Sequence, residues 1–92
     1  MALLGDAEIE ERLSRLSGWR RSGDAIEKEF KRDDFVGSVR FADALVAPAE
    51  KLGHHPDLSI SWDTVTVTIS THSEGGLTAA DFELAEKIDA LA

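Results

Sequence analysis

The stretch TVTVTIS, from Thr64 to Ser70, constrains the fold more than any other part of this sequence. Apolar side chains occupy every second position of it, and hydroxyl side chains fill the positions between. Because successive side chains of a β-strand point to opposite faces, the alternation predicts a half-buried strand with Val65, Val67 and Ile69 on one face. Residues 58–62 alternate in the same way immediately before it, so the two runs predict a β-hairpin.

A second pair of strands is predicted nearer the start of the chain. Residues 19–21 and 25–31 flank the short turn sequence SGD, whose glycine can adopt positive φ. Ile26 and Phe30 would share one face of the longer strand. The four strands together predict one antiparallel sheet with an apolar face to cover.

Three helices are predicted from apolar residues that recur at helical spacing. The first is expected to begin at Asp6, as its cap, and to continue to about Ser17. The second is expected to begin at Asp33 or Asp34 and to end near Leu52. Its apolar side would consist of Phe35, Val39, Ala42, Val46 and Ala49.

Local signals refine the second and third helices. Pro48 offers no amide to the carbonyl of Ala44, so a kink is expected about one turn before the second helix ends. The third helix is expected to open at Thr78 as N-cap, with Asp81 in the acid position of a capping box. The order α-β-β-α-β-β-α predicts a single α+β domain over residues 1–92, a four-stranded antiparallel sheet with three helices on one face.

Composition excludes several classes of function. The chain has 10 Lys+Arg and 18 Asp+Glu and a formal charge of −8, which repels phosphate backbones and argues against direct nucleic-acid binding. It has no cysteine, so disulfides, thiolate catalysis and cysteine zinc sites are excluded. Neither a signal-like start nor a run of about 18 apolar residues occurs, so we expect a soluble, cytoplasmic protein without membrane contact.

The three histidines are the candidate functional residues. His54 and His55 are adjacent at the expected helix end, and Glu50 precedes His54 by four positions, which predicts a Glu50–His54 pair that favours the charged imidazole if the helix continues. Pro56 disfavours helical geometry at His55, so the two rings should diverge. His72 would lie on the polar face of the last strand.

Structural explanations compete with the functional ones. Histidines at a helix end can contact the last carbonyls, Asp81 can serve only as a cap, and Trp62 only as a sheet-packing aromatic residue. A zinc site from the three histidines and Glu50 is chemically permissible. The sequence contains no HxH or HxxxH pair, however, so no metal ion is expected.

The spacing of these residues resembles that of the pterin-4a-carbinolamine dehydratases, also called 4a-hydroxytetrahydrobiopterin dehydratases. The matching positions are Glu50, His54, His55, Pro56, Trp62, His72 and Asp81. The segments KRDDF, AEKLGHHPD, ISTH and GLTAAD extend the resemblance over most of the chain. The family fold that it implies, a four-stranded antiparallel sheet backed by three helices, agrees with the order of elements predicted above.

The resemblance implies a reaction and roles for the site residues. A 4a-hydroxytetrahydropterin would lose water to give a quinonoid dihydropterin in tetrahydrobiopterin recycling, with no metal or redox cofactor. By resemblance, His54 and His72 would exchange protons, and His55 would grip and polarise the pterin. Glu50 would orient His54, while Trp62 and Asp81 would shape the pocket.

The chain departs from the family pattern at two positions, and the resemblance also implies partners for it. Many relatives carry Asp or Asn at the position of Gly53 and an aromatic residue at that of Leu58, so substrate preference and efficiency are the properties most open to change. The resemblance also implies a homodimer at least, with a tetramer through the second helix as the further alternative. Because relatives include a dimerisation partner of a transcription factor and assembly chaperones, a non-catalytic binding role is the alternative function.

Overall fold

The computed structural model describes residues 2–92, and its strands pair into one antiparallel sheet. The strands are β1 (Arg20–Ser22), β2 (Ala25–Lys31), β3 (Asp57–Ser61) and β4 (Thr64–Ile69). They lie in the order β1-β2-β4-β3, so each hairpin contributes one inner and one edge strand. The predicted four-stranded antiparallel sheet is therefore confirmed.

The helices are α1 (Asp6–Ser14), α2 (Phe35–Ala44), α3 (Val46–Leu52) and α4 (Ala79–Asp89). The second predicted helix corresponds to α2 and α3 together, so the predicted order of elements is confirmed. A short 3₁₀ turn, His72–Glu74, follows β4. Within residues 2–92, no helix is both long and apolar enough to cross a membrane.

The core lies between the helices and one face of the sheet. Val65, Val67 and Ile69 of β4 are fully buried, and Ile26 and Phe30 of β2 lie beside them in the register of the two strands. A slip of one residue would exchange the apolar side chains of β4 for threonines, so burial of this face fixes the register.

The α2–α3 helix breaks at Leu45, where the sequence predicts a kink. The amide of Leu45 bonds the carbonyl of Ala42 at 3.1 Å, a tighter turn than α-helix, and α3 restarts at Val46. Pro48 lies one turn further on and offers no amide to Ala44. The helix is thus interrupted as expected, and the break is at Leu45, three residues before Pro48.

The apolar side predicted for this helix is wrong at three of its five positions. Phe35, Val39 and Val46 are 56%, 44% and 56% exposed. Of the predicted side, Ala49 is buried, and it shares the buried side with Ser38, Phe41 and Leu45. The ring of Phe41 packs 4.9 Å from that of Phe30 on β2, centroid to centroid, so the side of the helix that carries Phe41 faces the sheet. Periodicity alone does not distinguish the two sides.

Helix capping agrees with the sequence at two helices and differs at the first. The carboxylate of Asp34 accepts the amide of Gly37 at 2.7 Å, and Thr78 with Asp81 forms the predicted capping box of α4. Asp6 does not cap α1. It is the first helical residue and pairs with Arg21, and the helix ends at Ser14, three residues earlier than expected.

The half-buried character predicted for the third strand is also wrong. All five residues of β3 are exposed, because the strand order places β3 at the sheet edge. Trp62 does not pack on the sheet. It occupies the turn between β3 and β4 with φ of +50° and is 71% exposed.

Candidate active site

Gly53 ends α3 and decides where the two adjacent histidines go. Its φ of +62° is in the left-handed region, and the amide of His54 bonds the carbonyl of Ala49 at 3.0 Å. This is the Schellman arrangement, which stops a helix and turns the chain away from its axis. Glycine adopts this conformation without strain, and Asn and Asp tolerate it better than other residues do. The backbone conformation therefore accounts for glycine at this position.

The turn at Gly53 brings His54 to the start of α4. Nε2 of His54 lies 2.6 Å from Oδ1 of Asp81, whose carboxylate is fully buried, and the imidazole itself is 14% exposed. The predicted Glu50–His54 pair is wrong. That prediction required the helix to continue through the histidines, and it ends before them.

Two threonines complete the surroundings of Asp81. Its Oδ2 accepts the hydroxyl of Thr71 at 2.8 Å and the amide of Thr78 at 2.7 Å, and the two threonine hydroxyls lie 2.8 Å apart. Thr71 is 8% exposed and Thr78 is fully buried. Sequence reasoning predicted Thr78 only as a cap and missed Thr71, although Thr71 directly precedes a histidine of the resemblance.

His55, and not His54, pairs with Glu50. Its Nε2 lies 2.5 Å from Oε2 of Glu50, and both side chains are more than 60% exposed. The two adjacent imidazoles thus contact different carboxylates, one buried and one in solvent. The predicted divergence of the rings is confirmed.

His72 follows β4 and lies near the start of β3, the end of the sheet where His54 and His55 are found. Strand β4 ends at Ile69, so His72 does not lie on the last strand as predicted. It opens the following 3₁₀ turn, and its side chain is 76% exposed. Nε2 of His72 lies 4.0 Å from Oδ2 of Asp57, the first residue of β3, and 3.5 Å from Oγ of Ser70. Because Asp57 follows His55 by two positions, all three histidines lie where α3 ends and β3 begins.

Trp62 lies outside this group. It is in the turn that joins β3 to β4, whereas the histidines are at the open end of the same hairpin. The five residues of β3 separate the two ends by about 17 Å at ~3.4 Å per residue. Within one chain, Trp62 therefore contacts none of the histidines.

Two pockets differ in their relation to the histidines. A pocket of about 180 Å³ lies between α2–α3 and the start of β3. His55 and Glu50 line it together with Ala42, Leu45, Val46, Ala49, Pro56 and Leu58. A larger groove of about 650 Å³ lies along the start of α2 and has no histidine in its lining. The chemistry therefore favours the smaller pocket and the neighbouring surface of His54 and His72.

The arrangement is suited to moving protons. It holds three imidazoles, two of them paired with carboxylates of opposite burial, and imidazole both gives and accepts protons near neutral pH. Within residues 2–92, no three His, Cys, Asp or Glu side chains come together in a way that could hold a metal ion.

Comparison with known sequences identifies related proteins over nearly the whole chain. A family model described as "Pterin 4 alpha carbinolamine dehydratase" matches residues 2–91. A protein of Thermosynechococcus vestitus named "Putative pterin-4-alpha-carbinolamine dehydratase" is 52% identical over 89 residues, 97% of this chain and 94% of that protein. A protein of the same name from Roseiflexus castenholzii is 51% identical and covers 96% of this chain and 95% of its own.

Two solved structures resemble the fold to different degrees. The crystal structure of a transcriptional coactivator/pterin dehydratase from Brucella melitensis has a TM-score of 0.94 and 38% identity, covering 99% of both chains. A pterin dehydratase-like protein described as a RuBisCO assembly factor in the alpha-carboxysome has a TM-score of 0.65 and 27% identity, covering 80% of this chain and 86% of its own.

Proposed function

Because the chain belongs to the pterin-4-alpha-carbinolamine dehydratase family, we propose that it removes water from a 4a-hydroxytetrahydropterin. The product is a quinonoid dihydropterin, and the physiological setting is tetrahydrobiopterin recycling in the cytoplasm, without a metal or redox cofactor. The observation that carries the proposal is the buried His54–Asp81 pair beside two exposed histidines. A protein that only binds a partner has no need of this arrangement.

The reaction requires two proton transfers in opposite directions. The hydroxyl on C4a leaves as water after receiving a proton, and the proton on N5 departs as the C4a–N5 double bond forms. One neutral imidazole and one charged imidazole supply both steps and exchange their states during turnover. His54 and His72 are proposed for these steps, because His54 contacts Asp81 and the residue before His72, Thr71, contacts the same carboxylate.

His55 and Glu50 are proposed to hold the substrate. Their side chains pair at 2.5 Å beside the apolar pocket of about 180 Å³. A pterin carries both an apolar ring face and donors and acceptors along its edge, so it suits an apolar wall with one polar pair at its rim. Glu50 thereby orients His55, where the sequence had assigned it to His54.

A second copy of the chain gives Trp62 a route to this site. β3 is an edge strand with Leu58 and Ile60 about 40% exposed, and an exposed edge of this kind pairs readily with another strand. Antiparallel pairing of two β3 strands with Ser59 on the two-fold axis places Asp57 opposite Ser61 of the second copy. The Trp62 of that copy then lies opposite Pro56, next to His55. We therefore propose a dimer in which Trp62 shapes the neighbouring copy's pocket.

The dimer is tested by light scattering at micromolar concentration. The chain mass is 10.0 kDa, so a mass of about twice that value or more is expected. Ile60→Lys places a charge on the pairing edge and should shift the mass toward that of one chain, whereas Glu83→Lys, on the exposed side of α4, should leave it unchanged. A mass of one chain for the unmodified protein over a hundredfold concentration range contradicts the dimer.

A protein-binding role is the second candidate function. The observation in its favour is the outer side of α2, where Phe35, Val36 and Val39 are 44–56% exposed. Clustered apolar side chains on a helix are typical of a contact surface. The relative that is described as a RuBisCO assembly factor shows that a pterin dehydratase-like fold takes part in assembly.

Catalysis by the histidines is tested with enzymatically generated 4a-hydroxytetrahydropterin. His54→Ala and His72→Ala should each lower kcat by about 10²-fold or more, the usual contribution of a positioned acid or base. Glu83→Ala, an exposed change on α4, serves as the control. If the unmodified protein does not accelerate formation of the quinonoid product, the binding role is favoured. If both histidine variants keep full turnover, the assignment of these residues is wrong.

A further inference from the structure

The hydroxyl of Thr71 is a buried polar group to which the proposed chemistry gives no role. Thr71 lies between the end of β4 and His72 and is 8% exposed. Its Oγ1 is 2.8 Å from Oδ2 of Asp81, ten positions further along the chain. The contact joins the turn that carries His72 to the carboxylate that holds His54.

The hydrogens of this group can be assigned one by one. Thr71 has a single hydroxyl hydrogen and donates it to Asp81, so the hydroxyl of Thr78 must be the donor in the 2.8 Å contact between the two threonines. The amide of Thr78 also donates to Oδ2 of Asp81 at 2.7 Å. With two donors on Oδ2, the other oxygen of Asp81 is directed at His54.

This assignment fixes the proton on the imidazole of His54. The carboxylate of Asp81 acts only as an acceptor, so Nε2 of His54 is the donor in their 2.6 Å contact. A neutral imidazole carries one hydrogen, and placing it on Nε2 leaves Nδ1 with a free lone pair. Nδ1 is then the atom of His54 that can accept a proton.

We propose that Thr71 is a positioning residue, which holds Asp81 so that His54 keeps its hydrogen on Nε2 and presents Nδ1 to the substrate. The step rests on the proposed dehydration. The N5 proton of the hydroxypterin passes to Nδ1, the C4a–O bond breaks, and the hydroxyl leaves as water with a proton from a charged second histidine. His54 becomes imidazolium, and the adjacent Asp81 carboxylate stabilises that charge.

Thr71 also fixes the turn that carries His72. Its amide bonds the carbonyl of Gly76 at 2.9 Å, and its carbonyl accepts the amides of Glu74 and Gly75, both at 3.0 Å. The backbone of Thr71 thus closes the 3₁₀ turn, while its side chain reaches Asp81. Thr71 therefore fixes the position of the His72 turn relative to the Asp81 carboxylate that contacts His54.

The first test compares three threonine variants in the dehydration assay. Thr71→Val keeps the shape and removes the hydroxyl. It should lower kcat about tenfold, which is the lower end of the effect known for residues that orient metal-binding histidines. Thr71→Ser keeps the hydroxyl and should restore most of the rate. Thr64→Val is the matched control, because Thr64 donates to Asp63 at 3.1 Å at the opposite end of the same strand. It should turn over like the unmodified protein.

The second test reads the imidazole directly. The ¹⁵N chemical shifts of the ring nitrogens of His54 distinguish the two neutral tautomers from each other and from the imidazolium, and they are recorded along an alkaline pH series. In the unmodified protein the hydrogen should be on Nε2, and in Thr71→Val the shifts should move toward a mixture of tautomers. This measurement needs no activity, so it decides the role of Thr71 even if the protein is not a dehydratase.

Three results overturn the proposal. A hydrogen on Nδ1 in the unmodified protein contradicts it, whether or not any variant folds. Unchanged kcat and unchanged His54 shifts in Thr71→Val contradict it as well. A loss of both stability and activity with the His54 shifts unchanged assigns Thr71 a structural role only. Absence of dehydration by the unmodified protein overturns the proposed function, whereas the tautomer measurement still stands.

Discussion

The two ends of the β3–β4 hairpin both carry a carboxylate paired with a basic side chain, but they differ in burial and in connection. At the open end, Asp81 is fully buried and accepts hydrogen bonds from His54, Thr71 and Thr78. At the turn, Asp63 is only partly buried, with its side chain 16% exposed, and it pairs with Lys31, whose side chain is 76% exposed. The first carboxylate belongs to a closed network of four residues, and the second belongs to one surface ion pair and a neighbouring threonine.

The comparison shows what separates a candidate site from an ordinary surface pair. Exposed ion pairs contribute little, because water screens them and both side chains lose freedom. A buried carboxylate must be satisfied by donors that the fold brings to it, which fixes the position of those donors. The sequence has many acidic residues, 18 in all, so acidity alone does not identify the site, whereas burial does.

The largest difference between the two ends is expected in stability. Asp81→Ala leaves the donors of His54, Thr71 and Thr78 without their acceptor and removes the capping box of α4. Unsatisfied buried donors cost about 1–3 kcal/mol each. We therefore expect the free energy of unfolding to fall by about 3 kcal/mol and the thermal unfolding midpoint to fall by more than about 10 °C. Thermal and urea unfolding measure it.

Asp63→Ala is the matched variant at the turn. It removes the carboxylate at the turn of the β3–β4 hairpin, and its midpoint of thermal unfolding should stay much closer to that of the unmodified protein. Equal losses for the two variants would show that burial does not distinguish the two ends. The buried Asp81 carboxylate would then contribute no more to stability than Asp63 at the turn.

A smaller effect is expected from two glycines with the same backbone conformation. Gly53 at the end of α3 has φ of +62°, and Gly23 in the β1–β2 turn has φ of +59°, and an added Cβ meets no atom within 4 Å at either position. Alanine at each should therefore cost about 1 kcal/mol through backbone strain alone. Only Gly53→Ala should also lower dehydration activity, because Gly53 turns the chain toward His54. Equal activity in the two variants would contradict this role of the turn.

The sequence predicted the fold because its alternations are local. Val65, Val67 and Ile69 specify their own strand, and Thr78 with Asp81 specifies the start of α4, and both are confirmed. The exposure of β3 was not predictable from its alternation, because it depends on β2 pairing with β4. Strand order decides whether a strand lies at the edge or in the centre of a sheet. The alternation of side chains within one strand does not predict that order.

The side chains that pair with the histidines could be predicted only in part, for a similar reason. His54 and Asp81 are 27 positions apart and meet only because Gly53 ends α3 and α4 begins beside it. Helical spacing offered Glu50 as the nearer partner, and that prediction failed with the helix end. Resemblance identified both residues as members of the site, yet only the structure pairs them.

The smallest expected effect concerns pH at the turn. The hydrogen bond from Lys31 is the main reason that the pKa of Asp63 is lower in the folded protein than its ordinary value of 3.8. A carboxyl whose folded pKa is depressed stabilises the fold above its unfolded pKa, and this stabilisation is lost as the pH falls through the folded pKa. The unmodified protein and Asp63→Asn should therefore differ slightly at neutral pH and become equal once the pH is below the folded pKa of Asp63. Added salt should reduce the neutral-pH difference, because the pair is on the surface. Unfolding midpoints of the two proteins along a pH series measure this. A difference that grows as the pH falls would mean that Asp63 is stabilised in its protonated form, and the turn would then not be the simple surface pair to which the histidine end is compared.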